Sequence, residues 1–339
     1  MPRIVPVLDL SRLEQGASEH RTFLLDLRTA ARDVGFFYLS GHGISASETD
    51  EVLDASRRFF ALPETDKLAI EMVKSSQFRG YTRAGGELTK GAADWREQLD
   101  IGVERQPIPQ GPGIAPWTRL QGPNQWPSAL PDLKPALLAW QTRATAVAIR
   151  LLRAFALSLD QAEDAFDPIY KDEPNHRMKI VRYPGRDATG DDQGVGAHKD
   201  GGFLTLLLQD ENKGLQVEYD GSWVNVDPLP ETLVVNIGEL LELASNGYLK
   251  ATVHRVVTPP AGVERISVPF FFSARLDATI PLLSLPEELA GEARGPASDP
   301  DNPLFRNVGT NVLKSRLRSH PDVARQHYAD LLETGISAA

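Results

Sequence analysis

The chain has no cysteine. Disulfides, thiolate metal sites and a cysteine nucleophile are therefore excluded, and any bound metal must be held by His, Asp or Glu. No stretch of 18 uncharged apolar residues occurs, so no membrane span is expected. The first residues, MPRIVPVLDLSRLEQ, lack the apolar run of a signal peptide. A cytoplasmic location is the expectation. There is no block of basic residues, and 46 acidic side chains outnumber 36 basic ones for a formal charge of -10. Such a surface repels phosphate backbones and anionic membranes at long range, which argues against nucleic-acid and membrane partners but leaves room for a local basic pocket. With 41% hydrophobic residues in 339 positions, a sizeable core is affordable.

Residues 4–10 (IVPVLDL) read as a short strand, and residues 17–34 as an amphipathic helix with Phe23, Leu24, Leu27, Ala30 and Ala31 at helical spacing. Residues 35–44 (GFFYLSGHGI) read as a strand ending in a Gly-rich turn. A second helix is expected over 46–61, with Ser45 as its N-cap and Glu48 completing a capping box. Residues 104–131 are rich in Pro and Gly and read as irregular surface, followed by a long apolar helix over about 132–160 that serves as scaffold. From residue 177 the runs RMKIVRYP, FLTLLLQD, LQVEYDGSWVNV, TLVVNIG, TVHRVV and RISVPFFF are short, β-rich and separated by turn residues. Their spacing indicates an antiparallel double-sheet jelly roll rather than βαβ units. SRLRSHPDVARQHYADLL reads as a terminal helix. The expected organisation is a helical N-terminal region over 1–130, the long helix within 131–176, a β core over 177–280 and a C-terminal extension over 281–339, all in one structural unit.

The chemistry begins at GVGAHKDGGFLTLLLQD (194–210), where His198 and Asp200 stand two apart at the entrance of an apolar run. In a strand, residues two apart point to the same side. Two ligands do not fix a metal, and of the seven histidines His254, in the strand-like run TVHRVV, is placed to supply a third. Two His and one carboxylate form a facial triad that leaves three octahedral positions open, as non-haem Fe(II) oxygenases require. Eleven residues after His254 comes Arg265-Ile-Ser267. Arg265, Ser267 and Phe271 share a face if the strand continues through Pro269. An arginine facing a barrel interior is costly unless an anion meets it, and its planar fork suits a carboxylate.

These motifs resemble the isopenicillin-N-synthase-like branch of the Fe(II)- and 2-oxoglutarate-dependent dioxygenases. The resemblance runs through IVPVLDLSRL, ARDVGFFYLSGHGI and RFFALPETDK, then AHKDGGFLTLLLQD, GLQV, GSWVNVDPLP, VVNIGELLE, SNGYLKATVHRVV and ERISVPFF, in the family's order across most of residues 3–275. It implies a fold that is mainly β with α, a double-stranded β-helix core buttressed by N-terminal helices and the long helix. It implies Fe(II) held by His198, Asp200 and His254, with O2 and 2-oxoglutarate as co-substrates. It implies that Arg265 and Ser267 bind the distal carboxylate of 2-oxoglutarate, with Tyr183 matching a tyrosine that touches the same group in many relatives. Alternation puts Lys179 on the face of Tyr183, as a second candidate to meet the co-substrate anion. His42 and Asn236 read as structural. The chain departs from the family in HKD for the frequent HTD, and in Val181-Arg182-Tyr183 where plant members often carry Asn-x-Tyr. The stretch SQFRGYTRAGGELTKGAADWREQLDIG is more similar to bacterial members.

The expected reaction is oxidation of a small molecule, with hydroxylation as the usual outcome and succinate and CO2 as co-products. The alternative is an Fe(II) oxidase of the same fold that uses no 2-oxoglutarate, with Arg265 and Ser267 gripping a substrate carboxylate. Arg83, Glu87, Thr89 and Arg96, in the polar segment 79–97, are candidates for substrate contact, and Phe203 and Phe271 for an apolar wall. A monomer is expected.

Overall fold

A computed structural model of the chain describes residues 4–187, 193–296 and 302–333; the remainder of the expected terminal and core segments lies outside the described residues. In chain order the strands are β1 (Val7–Asp9), β2 (Phe36–Ser40), β3 (Gly80–Thr82), β4 (Leu88–Thr89), β5 (Ala92–Ala93), β6 (Glu97–Gly102), β7 (Arg177–Pro184), β8 (Gln193–His198), β9 (Leu204–Gln209), β10 (Leu215–Tyr219), β11 (Ser222–Asn225), β12 (Leu233–Ile237), β13 (His254–Val257) and β14 (Glu264–Phe272). Eight of them form one sheet in the order β1-β2-β12-β9-β14-β7-β6-β3. Four form a second sheet, β11-β10-β13-β8, and β4 and β5 make a small hairpin. Apart from β1 with β2, the pairings within these sheets are antiparallel. This is the expected double-sheet core.

The strands of the large sheet alternate cleanly. Ile266, Val268, Phe270 and Phe272 of β14, Met178 and Ile180 of β7, and Leu99 and Ile101 of β6 all join one core with the helices. Those helices are Ala17–Asp33, Ala46–Phe60 and Leu133–Ser158. Packed on a sheet, such a face buries enough apolar surface to hold the fold, at about 1.5–3 kcal/mol for each large side chain. The capping box of Ser45 and Glu48 is present and fixes the start of the second helix. A second, smaller core lies between the sheets, where Val181 and Tyr183 meet Val195, Leu215, Val217 and Val256.

The region read as helical over 1–130 also supplies strands β3 to β6, and two of the expected elements are altered. The first strand is shorter, because the Asp9 side chain accepts the Ser11 N–H and turns the chain into a 3-10 helix over Leu10–Glu14. The terminal helix is three helices, Val308–Ser319, Pro321–His327 and Ala329–Glu333. Pro321 has no N–H to donate and forces His320 out of helical geometry, to φ -130° and ψ 74°. No helix among the described residues is long and apolar enough to cross a membrane.

Candidate active site

His254 of β13 and His198 of β8 are direct partners in the small sheet. Facing residues on adjacent strands put their side chains on the same side, and the two rings lie 4.4 Å apart. Asp200 follows His198 where the strand ends. Its Oδ1 lies 3.5 Å from His198 Nε2 and 3.8 Å from His254 Nε2. One ligand atom from each of the three residues lies within 4.8 Å of the other two, the spacing a single ion needs.

The remaining polar atoms are tied away from that point. His198 Nδ1 bonds the Gly196 carbonyl at 2.8 Å, and His254 Nδ1 the Thr252 carbonyl at 3.1 Å. A backbone carbonyl can only accept, so each Nδ1 carries a proton and the neutral ring keeps its lone pair on Nε2, facing Asp200. Asp200 Oδ2 accepts from Thr205 Oγ1 at 2.5 Å and from Asn236 Nδ2 at 2.8 Å, which leaves Oδ1 facing the two imidazoles. Thr205 and Asn236 are themselves register partners on β9 and β12, so the large sheet orients the carboxylate that the small sheet's histidines face. Burial opposes charge on Asp200, but His254 and His198 outweigh it and hold its carboxyl far below the usual range. Burial, then the neighbouring His198, pushes His254 down to about 4, so its imidazole is neutral near pH 7 and fit to ligate.

Arg265 and Ser267 sit on the inner face of β14, 0% and 1% exposed. The Arg265 guanidinium lies 5.0 Å above the Tyr183 ring centroid, and its Nη2 donates to Gln209 Oε1 at 2.8 Å. Its Nε and Nη1 are buried without a hydrogen-bond partner. It makes no ion pair with Glu264, which instead pairs with Arg182. A buried cation with two unmet donors is costly alone, and its fork fits the carboxylate of 2-oxoglutarate. The donor set therefore fits both groups: oxygen and imidazole ligands for Fe(II), and a desolvated guanidinium with a hydroxyl for the co-substrate.

Segment 79–97 is not a solvated loop. Lys179 faces the interior as alternation requires, but its ammonium bonds both oxygens of Glu87, at 2.9 and 2.7 Å, and lies 3.7 Å from Asp100. Arg96 pairs with Glu87 and with Asp94, and Thr89 donates to Asp94. Burial raises the Glu87 pKa, but Lys179, Arg96 and His320 outweigh it and hold the carboxyl well below the usual range. Asp94 also accepts from the backbone of Gly196, and the Thr89 side chain packs where a Cβ on Gly196 would stand, 2.9 Å away. That close approach ties the hairpin to the strand that carries His198 and requires glycine. Arg83 is apart from this network, half exposed and paired with Glu64. Phe203 faces the helix-side core against Phe166 rather than the site, because it precedes β9 on the apolar side. Phe271 does face inward, partly accessible, beneath Arg177. The sequence reading missed Thr205 and Gln209, whose two-residue alternation on β9 was the available signal, and the Arg316 and His320 contributions of the C-terminal helix.

The paired sheets and the clustered His198, Asp200 and His254 are the arrangement expected of a non-haem iron oxygenase. Comparison with known proteins takes this further. Residues 5–129 match the non-haem dioxygenase N-terminal family (named for morphine synthesis), and residues 174–274 match the 2OG-Fe(II) oxygenase superfamily. The chain is 35% identical to the 2-oxoglutarate-dependent dioxygenase frbJ of a Dothideomycetidae species, over 97% of this chain and 93% of that one. It is 34% identical to a homoarginine-6-hydroxylase of Arabidopsis thaliana, over 86% of this chain and 91% of that one. A full-length Neurospora crassa protein crystallised with alpha-KG superposes with a TM-score of 0.72 at 27% identity, covering 84% of this chain and 90% of that one. The chain belongs to the 2OG-Fe(II) oxygenase superfamily. It is an enzyme that uses Fe(II), 2-oxoglutarate and O2, and the 2-oxoglutarate-free oxidase has no support among these relatives.

Proposed function

We propose that His198, Asp200 and His254 hold the iron, that Arg265 and Ser267 hold the distal carboxylate of 2-oxoglutarate, and that the enzyme hydroxylates a small polar molecule. The observation that carries this reading is the pair of buried, unmet donors on Arg265 behind a triad whose free atoms converge. When bound, iron with 2-oxoglutarate and O2 supplies the oxidising power and yields succinate and CO2. The chain's residues supply position. Thr205 and Asn236 fix the carboxylate ligand, the two backbone carbonyls fix the imidazole tautomers, and Tyr183 with Gln209 fixes the guanidinium fork. Substrate meets the inner wall of β6, β7 and the β4–β5 hairpin. That wall carries Lys179, Asp100, Glu87 and Arg96 beside the aliphatic Val181, which supports a polar substrate. The relatives include a hydroxylase named for an amino acid, homoarginine, in keeping with that polarity.

The test is succinate release across a panel of amino acids and other small polar molecules, with Asp200→Ala as control. Substrate-dependent succinate in the wild type and none in the variant is expected. Full succinate release in Asp200→Ala would overturn the metal assignment.

A further inference from the structure

The charged inner wall does not end at the Glu87 network. Arg177, the first residue of β7, is in register with Phe271 on one side and Gly102 on the other. Its guanidinium lies 5.5 Å over the Phe271 ring. The Arg79 guanidinium rests on bare Gly102, where a Cβ would fall 2.2 Å from its Cζ. Arg79 and Arg177 are thus brought together across the β6–β7 pair, and Arg316 of the C-terminal helix joins them. The three line one small pocket with Gln77, Asn175 and two aliphatic side chains, and no carboxylate lines it. Its volume, about 10 Å³, holds one water-sized group, the end of a ligand rather than a whole molecule.

Two of the three guanidiniums have no carboxylate in contact among the described residues. Arg316 is paired with Asp100 at 2.8 Å. Arg79 and Arg177 make no ion pair among the described residues. Arg79 is 4% exposed, and its Nε has no hydrogen-bond partner, while Arg177 is half-buried. Burial first, then the charge of Arg316, pushes Arg177 down to about 9 and Arg79 to about 10, against the weaker opposing pull of Asp100 on both, of Glu104 on Arg79 and of Glu87 on Arg177. Desolvated like charges of this kind call for an anion.

This is not the 2-oxoglutarate grip. Arg177 lies six residues from Tyr183, the partner of Arg265, and so roughly 20 Å along β7, beyond what a five-carbon diacid spans. Its backbone is on the iron side of the sheet. Thr205, which holds Asp200, pairs with Phe271, and Phe271 pairs with Arg177, so the backbones of Thr205 and Arg177 are two strand spacings or roughly 10 Å apart.

We infer that Arg177 and Arg79, backed by Arg316, form an oxyanion pocket that takes a carboxylate of the prime substrate while another part of that molecule reaches the iron. The inference rests on the iron-site reading above and adds the substrate class, a carboxylic acid.

The test uses full-length protein loaded with Mn(II), saturated with 2-oxoglutarate, and acetate as the probe. Relaxation of the acetate methyl protons reports its distance from the metal, with Zn(II)-loaded protein as the diamagnetic reference. Saturable relaxation is expected from an acetate that is near the metal but not ligated to it, as two intervening strand spacings imply. Arg177→Met and Arg79→Met should each weaken acetate binding roughly tenfold or more, with circular dichroism and 2-oxoglutarate binding retained as evidence of folding. Absence of the effect in wild type overturns the pocket. So does an effect that survives in both folded variants, because the acetate is then on the metal. Binding of 2-oxoglutarate to the wild type is measured first. Its failure would remove the iron-site reading itself, whereas success there with no acetate effect fails the pocket alone.

Discussion

The two faces of the eight-stranded sheet come from the same strands and do opposite work. Facing the helices, β14 presents Ile266, Val268, Phe270 and Phe272; facing inward it presents Arg265, Ser267 and Phe271. β7 gives Met178 and Ile180 outward, Lys179 and Tyr183 inward. A period of two lets one sequence carry a core on alternate residues and a reaction chamber on those between. Stability and chemistry are therefore separable, and substitutions on the two faces should fail in different ways.

The largest effect is expected at Asp200. Replacement by Ala removes one of three ligands, and turnover should vanish with iron affinity falling more than about 100-fold, read by Fe(II) titration. Next is Phe270→Ala on the helix face, which should cost about 3–5 kcal/mol of stability by denaturant unfolding. It should leave 2-oxoglutarate affinity nearly unchanged in the folded protein. Arg265→Met is its inner-face counterpart. Loss of charge-assisted bonds worth about 2–3 kcal/mol should raise the Kd for 2-oxoglutarate about 30–150-fold, while stability holds or rises because a buried cation is gone. Smallest is Thr205→Val, which leaves Asn236 on Asp200 and should weaken iron binding about 10-fold. If Phe270→Ala and Arg265→Met proved equally destabilising, the two faces would not be independent.

Much of this was readable before any coordinates. The short β runs between turn residues, the capping box at Ser45 and the alternation through RISVPFFF are local signals, and local signals transfer well. His198, Asp200 and His254 were legible because a ligand set leaves a spacing in the chain. What the sequence could not show is who pairs with whom across long separations. Glu87 and Arg96 read as free candidates for substrate, yet Lys179 and His320 reach Glu87 from far along the chain, and Arg96 is held between Glu87 and Asp94. Phe203 had the right composition for a pocket wall but sits on the core side, a difference of one residue in phase. Arg177 carried no signal at all, since its surplus charge is visible only once Arg79 and Arg316 are beside it.

The most direct test of the account is anaerobic. Fe(II) is added to metal-free protein, then 2-oxoglutarate, and the visible charge-transfer band of a chelated keto acid is followed in wild type and in Arg265→Met. The account predicts a band in wild type that needs far more 2-oxoglutarate to form in the variant. Iron binding without a band in wild type, or a band of unchanged affinity in Arg265→Met, would contradict it.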